Sequence, residues 1–186
     1  MGRLYRYGGV VASVILIAIG IGCLYMGIDG RDQVRTDLAR EQIVGTPDST
    51  IPGQKVDTGD EARAFANVMR KHALEATGGQ TYAQMGRFLD SQGNPTNDEA
   101  AAAKDPKTGQ PVENGARNLW VTETALSTAL NMSYMAERLA VFGIVVGIAL
   151  TLSGIGFIVL ALGGALRRSS TDAKEPVVIT RVQPQV

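Results

Sequence analysis

"LAVFGIVVGIALTLSGIGFIVLALGGAL", residues 139–166, is a 28-residue stretch without a single charge, and it decides the fold. Roughly 20 consecutive apolar residues suffice to carry a helix through a bilayer. A second uncharged stretch, "GGVVASVILIAIGIGCLYMGI", occupies residues 8–28. Two membrane crossings are therefore expected, and the 29–138 segment between them becomes the soluble part. It holds all but eight of the 36 charged side chains in the 186-residue chain. The fold class this predicts is an all-α membrane protein: two transmembrane helices with a helical extracytoplasmic insertion, built as a helical hairpin plus stalk helices.

The flanks set the expected orientation. Arg3 and Arg6 precede the first stretch, and Arg167, Arg168, Lys174 and Arg181 follow the second. Short positive flanks stay inside, so residues 1–7 and a disordered tail over 167–186 are placed in the cytoplasm, with 29–138 outside the plasma membrane. Arg31, Arg35 and Arg138 pull the other way, but most of a loop this long carries no topological information. Cleavage of the first stretch as a signal peptide is disfavoured by its apolar length. "GIGC", ending at Cys23, is only a distant match to a lipoprotein cleavage site; a small buried hydrophobe is the preferred reading of this lone cysteine. With one cysteine, an intrachain disulfide is excluded.

Within the insertion, Val34 and Leu38 continue the helical spacing of the first stretch, which predicts a stalk over residues 31–44. Pro47, Pro52 and several Gly, Ser and Thr then turn the chain over 45–59. Ala62, Phe65, Ala66, Met69, Ala73 and Ala76 share one helical face, ended by Gly78-Gly79. Residues 81–90 read as a second short helix carrying Tyr82, Met85, Phe88 and Leu89, closing a hairpin with the first. Residues 91–115, with Pro95, Pro106, Pro111 and four consecutive alanines, read as a mobile polar loop. From Arg117 onward nothing breaks the helical pattern, so one helix of about 52 residues is expected to reach Arg168, roughly 78 Å at 1.5 Å per residue. On its outer part Leu119, Val121, Leu126, Leu130 and Met132 gather on one side, expected to pack on the hairpin and first stalk. Glu123, Ser127, Asn131 and Arg138 gather on the other.

His72, the sole histidine, lies in "MRKHALEATGGQTYAQM", residues 69–85, close to Tyr82. A catalytic or metal-binding histidine needs companions, and neither metal-ligand spacings nor nucleophile or phosphate-loop motifs occur. A structural or surface role is the favoured reading of His72, with ligand contact by His72 and Tyr82 as the minor one. No enzyme activity and no cofactor are expected. Trp120, the sole tryptophan, projects onto the polar side of the long helix. It suits either docking on the hairpin or service as an exposed partner anchor. Gly143, Gly147 and Thr151 form a small-xxx-small ridge, as do Gly9 with Ser13 and Ala18 with Gly22, and such ridges let helices approach closely. Contact between the two spans would satisfy one ridge apiece, leaving glycines such as Gly154 and Gly156 open to a neighbour. Gly143, Gly147, Gly154 and Trp120 are thus the partner-contact candidates.

"KHALEATGGQTYAQM" and "LNMSYMAERLAVFGIVVG", together with the two-span plan, resemble a family of small actinobacterial membrane proteins of unknown function, some of which carry the automatic label aromatic ring-opening dioxygenase. The resemblance implies the architecture and no chemistry. An extradiol dioxygenase holds iron through two histidines and a carboxylate, which one histidine cannot supply. The function expected is a non-catalytic accessory or assembly subunit of a larger membrane complex, for example respiratory or transport. Its partners would be the lipid bilayer and other membrane subunits, with self-association as a further option and no nucleic acid. The alternative is an independent extracytoplasmic ligand-binding or envelope-sensing protein whose site lies between hairpin and stalks.

Overall fold

The structure, a computed structural model, describes residues 2–163, with side chains from residue 7. Three helices dominate: α1 (Gly2–Arg40), α2 (Gly59–Ala76) and α3 (Gly115–Leu162). Both α1 and α3 are long and apolar enough to cross a membrane. They run unbroken past the apolar stretches, as the stalk reading required: α1 continues to Arg40 and α3 begins at Gly115. The end of the second apolar stretch and the tail expected over 167–186 lie outside the described residues.

The chain divides into two compact units, and α1 and α3 contribute to both. Within the first, which contains residues up to Gly22 and from Gly147 onward, the helices meet through small residues. An added Cβ at Gly20 would strike the Thr151 hydroxyl and come within 2.8 Å of the Gly147 carbonyl oxygen. One at Gly154 would sit 2.6 Å from Ile17 Cγ1 and 2.8 Å from the Ser13 carbonyl oxygen. Ser13 is fully buried and donates to the Gly9 carbonyl at 2.7 Å. This corrects the expectation for Gly154, which is consumed by contact with α1 and leaves no room for a neighbour. Gly22 and Gly156 face open space.

The second unit, Cys23–Val146, holds α2 and the intervening turns. There Gly27 lies so close to α3 that an added Cβ would be 2.7 Å from the Ala140 carbonyl oxygen, whereas one at Gly143 would make ordinary contacts of 3.7 and 3.8 Å with Cys23 and Gly27. After α1 the chain folds back on itself: Val56 N–H donates to the Ile43 carbonyl at 2.9 Å and Gly45 N–H to that of Gln54 at 2.8 Å. Helix α2 opens with a capping box, Thr58 N–H donating to Glu61 Oε2 at 2.9 Å and Glu61 N–H to Thr58 Oγ1 at 3.4 Å. It ends at Gly78 and Gly79, with φ of 61° and 80°, where Gly79 N–H returns to the Leu74 carbonyl at 2.7 Å. Leu38, Val56, Ala62, Ala66 and Leu130 form the core between the three helices.

The second short helix expected over 81–90 does not form. Residues Tyr82–Gln84 make one 3₁₀ turn, after which the chain extends into β1 (Phe88–Leu89), paired antiparallel with β2 (Pro95–Thr96). Backbone contact explains the outcome. Gly86 lies against the Thr96 backbone, Asn97 Oδ1 accepts from Arg87 N–H at 3.0 Å, and Leu89 N–H donates to the Val112 carbonyl at 3.0 Å. A helix of this length is marginal by itself, so cross-chain hydrogen bonds prevail. The polar loop is correspondingly structured, with isolated bridges joining Phe88 to Glu113, Asp90 to Ala102 and Lys104 to Pro111. Buried Asn114 ends it: Nδ2 donates to the Gly86 carbonyl at 2.9 Å, and Oδ1 accepts from Ala116 N–H at 3.1 Å where α3 starts.

Candidate partner-binding face

The N-terminal half of α3 packs with part of the side expected to be polar, while Asn131 and Arg138 of that side stay exposed. Trp120 is 5% exposed and Glu123 3%, whereas Val121 is 52% exposed and Met132 54%. Of the stripe expected to face inward, Leu130 alone is fully buried; Leu119, Leu126 and Met132 lie open. Trp120 is not an exposed anchor. It packs on Ala73 and Met85, and the Arg70 guanidinium stands 4.9 Å above its ring.

Satisfied polar groups make the inversion tolerable. Glu123 accepts from Ser127 Oγ at 2.6 Å and has Arg70 Nη1 at 3.8 Å. One helical stretch further on, Glu137 ties all three helices together. Its Oε1 accepts from Arg31 Nε at 3.0 Å and Arg35 Nε at 2.9 Å, both on α1, and its Oε2 accepts from Gly59 N–H at 2.6 Å, at the start of α2. Burial pushes the Glu137 carboxyl up, but the Gly59 N–H and the two guanidinium groups outweigh it and leave the group below its ordinary value. A carboxylate at a helix N-terminus also meets the positive end of the macrodipole. Beside it Arg138 Nη2 reaches Asp60 Oδ1 at 2.6 Å, and Tyr134 is flanked by Arg63 and Arg138 at 4.7 and 5.1 Å. Among the described residues no buried side-chain polar atom lacks a partner.

The opposite side of α3 is uncharged. Between Arg117 and Glu137 the only charged residue is Glu123, and it faces inward. Val121, Ala125, Thr128, Met132, Met135 and Leu139 are all exposed, and they recur at alternating intervals of four and three. That is the 3.5-residue period of a helix-packing seam. Two open hollows flank it, one bordered by Tyr82, Trp120 and Val121, the other by Arg63, Tyr134 and Met135. Tyr82 is partly exposed there, with Arg117 4.1 Å above its ring. Sequence reasoning missed this seam because it assigned the apolar side to the core; the missing charges between residues 117 and 137 were the available signal.

Two other features of this unit were anticipated as ligand positions. An apolar groove of about 460 Å³ lies between the end of α1, α2 and α3, lined by Leu38, Ile43, Phe65, Met69 and Leu126, with Asp37 and Glu41 among its polar residues. His72 is separate from it: its Nε2 lies 2.9 Å from Asp48 Oδ2, which also accepts from Lys71 Nζ at 2.9 Å. Lys71, His72 and the Thr46 hydroxyl hold the Asp48 carboxyl well below the usual carboxylate range. This cluster is exposed and ties the 45–59 turn to α2. His72 and Tyr82 are not brought into one site.

Comparisons with protein families, with curated proteins and with solved structures return no match.

Proposed function

We propose that this chain is a non-catalytic accessory or assembly subunit of a larger membrane protein complex in the bacterial plasma membrane. Both termini lie in the cytoplasm, and residues 29–138 form an extracytoplasmic insertion. The observation that carries this reading is the outward face of α3, which between Arg117 and Glu137 bears no charge and leaves Val121, Met132 and Met135 open. Each such side chain gains about 1.5–3 kcal/mol when removed from water. A contiguous apolar surface rimmed by polar residues marks an interaction site. The glycines Gly20, Gly27 and Gly154 hold α1 and α3 to each other, which leaves partner recognition to this face and to open positions such as Gly156.

A second reading, an extracytoplasmic ligand-binding protein, is favoured by the groove beside Phe65 and Met69. Its volume of about 460 Å³ falls in the range of small-molecule sites.

Purification of the full chain in mild detergent, followed by mass spectrometry, separates the two. Stoichiometric membrane subunits that dissociate on Met132→Glu support the assembly role. Unchanged composition after Met132→Glu, with loss of a bound small molecule on Phe65→Trp, transfers support to the groove.

A further inference from the structure

We propose that the outward face of α3 seats a second copy of the same chain, parallel and in register. The inference rests on the reading of this face as a docking surface and identifies its occupant.

Three observations point to a second copy. The alternating four-and-three spacing from Val121 to Leu139 makes a nearly straight stripe along α3, which a partner covers continuously only if it is itself a helix crossing at a shallow angle of about 20°. Next, no like charges oppose one another across the stripe. Arg117, Thr124, Asn131 and Arg138 border it on one side and Thr122, Ala129, Ala136 and Gly143 on the other. In a parallel pair, residues from one edge meet residues from the opposite edge of the other helix, so Thr124 would face Ala129, Asn131 would face Ala136, and the two arginines would face Thr122 and Gly143. Each arginine meets an uncharged residue, Arg138 is already paired with Asp60, and the small residues permit close approach. Methionines at the seam adapt readily to their own image.

The last observation is continuity. Helix α3 runs without interruption from this stripe into an apolar segment long enough to cross a membrane, and Phe142, the next seam position, is equally exposed. Two copies anchored in one bilayer point the same way and stand at the same depth. Their stripes therefore arrive in register without any further alignment, whereas an unrelated helix would need a matching period at a matching height.

The test uses the full chain in native membranes, on a Cys23→Ser background, with single cysteines placed by Met132→Cys, Met135→Cys and Leu126→Cys. Leu126 is exposed but points away from the stripe. Oxidation or a short bis-maleimide should link Met132→Cys and Met135→Cys into dimers at least about tenfold more efficiently than Leu126→Cys. Met132→Glu with Met135→Glu should abolish the dimer on native gels while circular dichroism stays unchanged. Equal cross-linking at all three positions, or none, overturns the second copy. If cross-links are absent but the double glutamate variant still sheds a different membrane subunit, the docking face stands and only its occupant is wrong. If the variant changes neither dimer nor partner, both readings fail.

Discussion

Trp120, Glu123 and Glu137 on one side of α3 are buried, while Val121, Met132 and Met135 on the other are open. The charged and aromatic side is packed because α1 and α2 supply it with partners: Arg31, Arg35, Arg70 and the first N–H of α2. A buried polar group with its hydrogen bonds made costs little, and one left alone costs dearly. The apolar side has no such requirement within the chain and stays available. Hydrophobicity therefore tells which residues seek burial, and polar pairing tells which side of this helix the chain itself buries.

Breaking the inward side should have the largest effects. Trp120→Ala removes a ring enclosed by Ala73, Met85 and Arg70, and should cost about 3 kcal/mol of stability, seen as an earlier thermal transition by circular dichroism in detergent. Glu137→Gln follows, at about 2 kcal/mol, because a charged acceptor of three hydrogen bonds is replaced by an amide. That site also has a pH signature. Its folded carboxyl lies below the ordinary 4.5, so its contribution is complete above that pH and disappears as pH falls through the lower folded value. Acid melting curves should be steeper for the native chain than for Glu137→Gln; parallel curves would show that the clasp does not carry the charge.

Smaller effects sharpen the contrast. Thr58→Ala removes one half of the capping box and should cost about 1 kcal/mol, measured in the same way. His72→Gln acts on an exposed cluster and should leave melting within about 0.5 kcal/mol. Least of all, Val121→Ser on the outward side should leave the isolated chain's melting unchanged within error and alter only its association. A large loss of stability from Val121→Ser would collapse the distinction between the two sides.

Much was legible without coordinates. The apolar stretches, the continuity of both long helices, the α2 face through Ala62 and Ala73, and the left-handed Gly78 and Gly79 all follow from local rules of spacing and backbone freedom. Residues 81–90 misled because their apolar periodicity fits a short helix, while their strand partners lie in a stretch whose prolines and alanines suggest no pairing. For the candidate site, the sequence exposed Trp120, Tyr82 and the uncharged run of α3, but not which of them faces out.

The sequence by itself determined that this protein has two helices able to cross a membrane and a polar segment between them. Those properties depend on composition and on neighbours within a few residues. Only the tertiary structure decided that Gly154 is spent on α1, that Trp120 is buried, and that α3 turns its polar side inward. Such choices depend on partners remote in the sequence: Glu137 meets Arg31, Arg35 and Gly59 across separations of 106, 102 and 78 positions. A helical period fixes which residues share a face, and only the groups brought opposite that face determine whether it is buried.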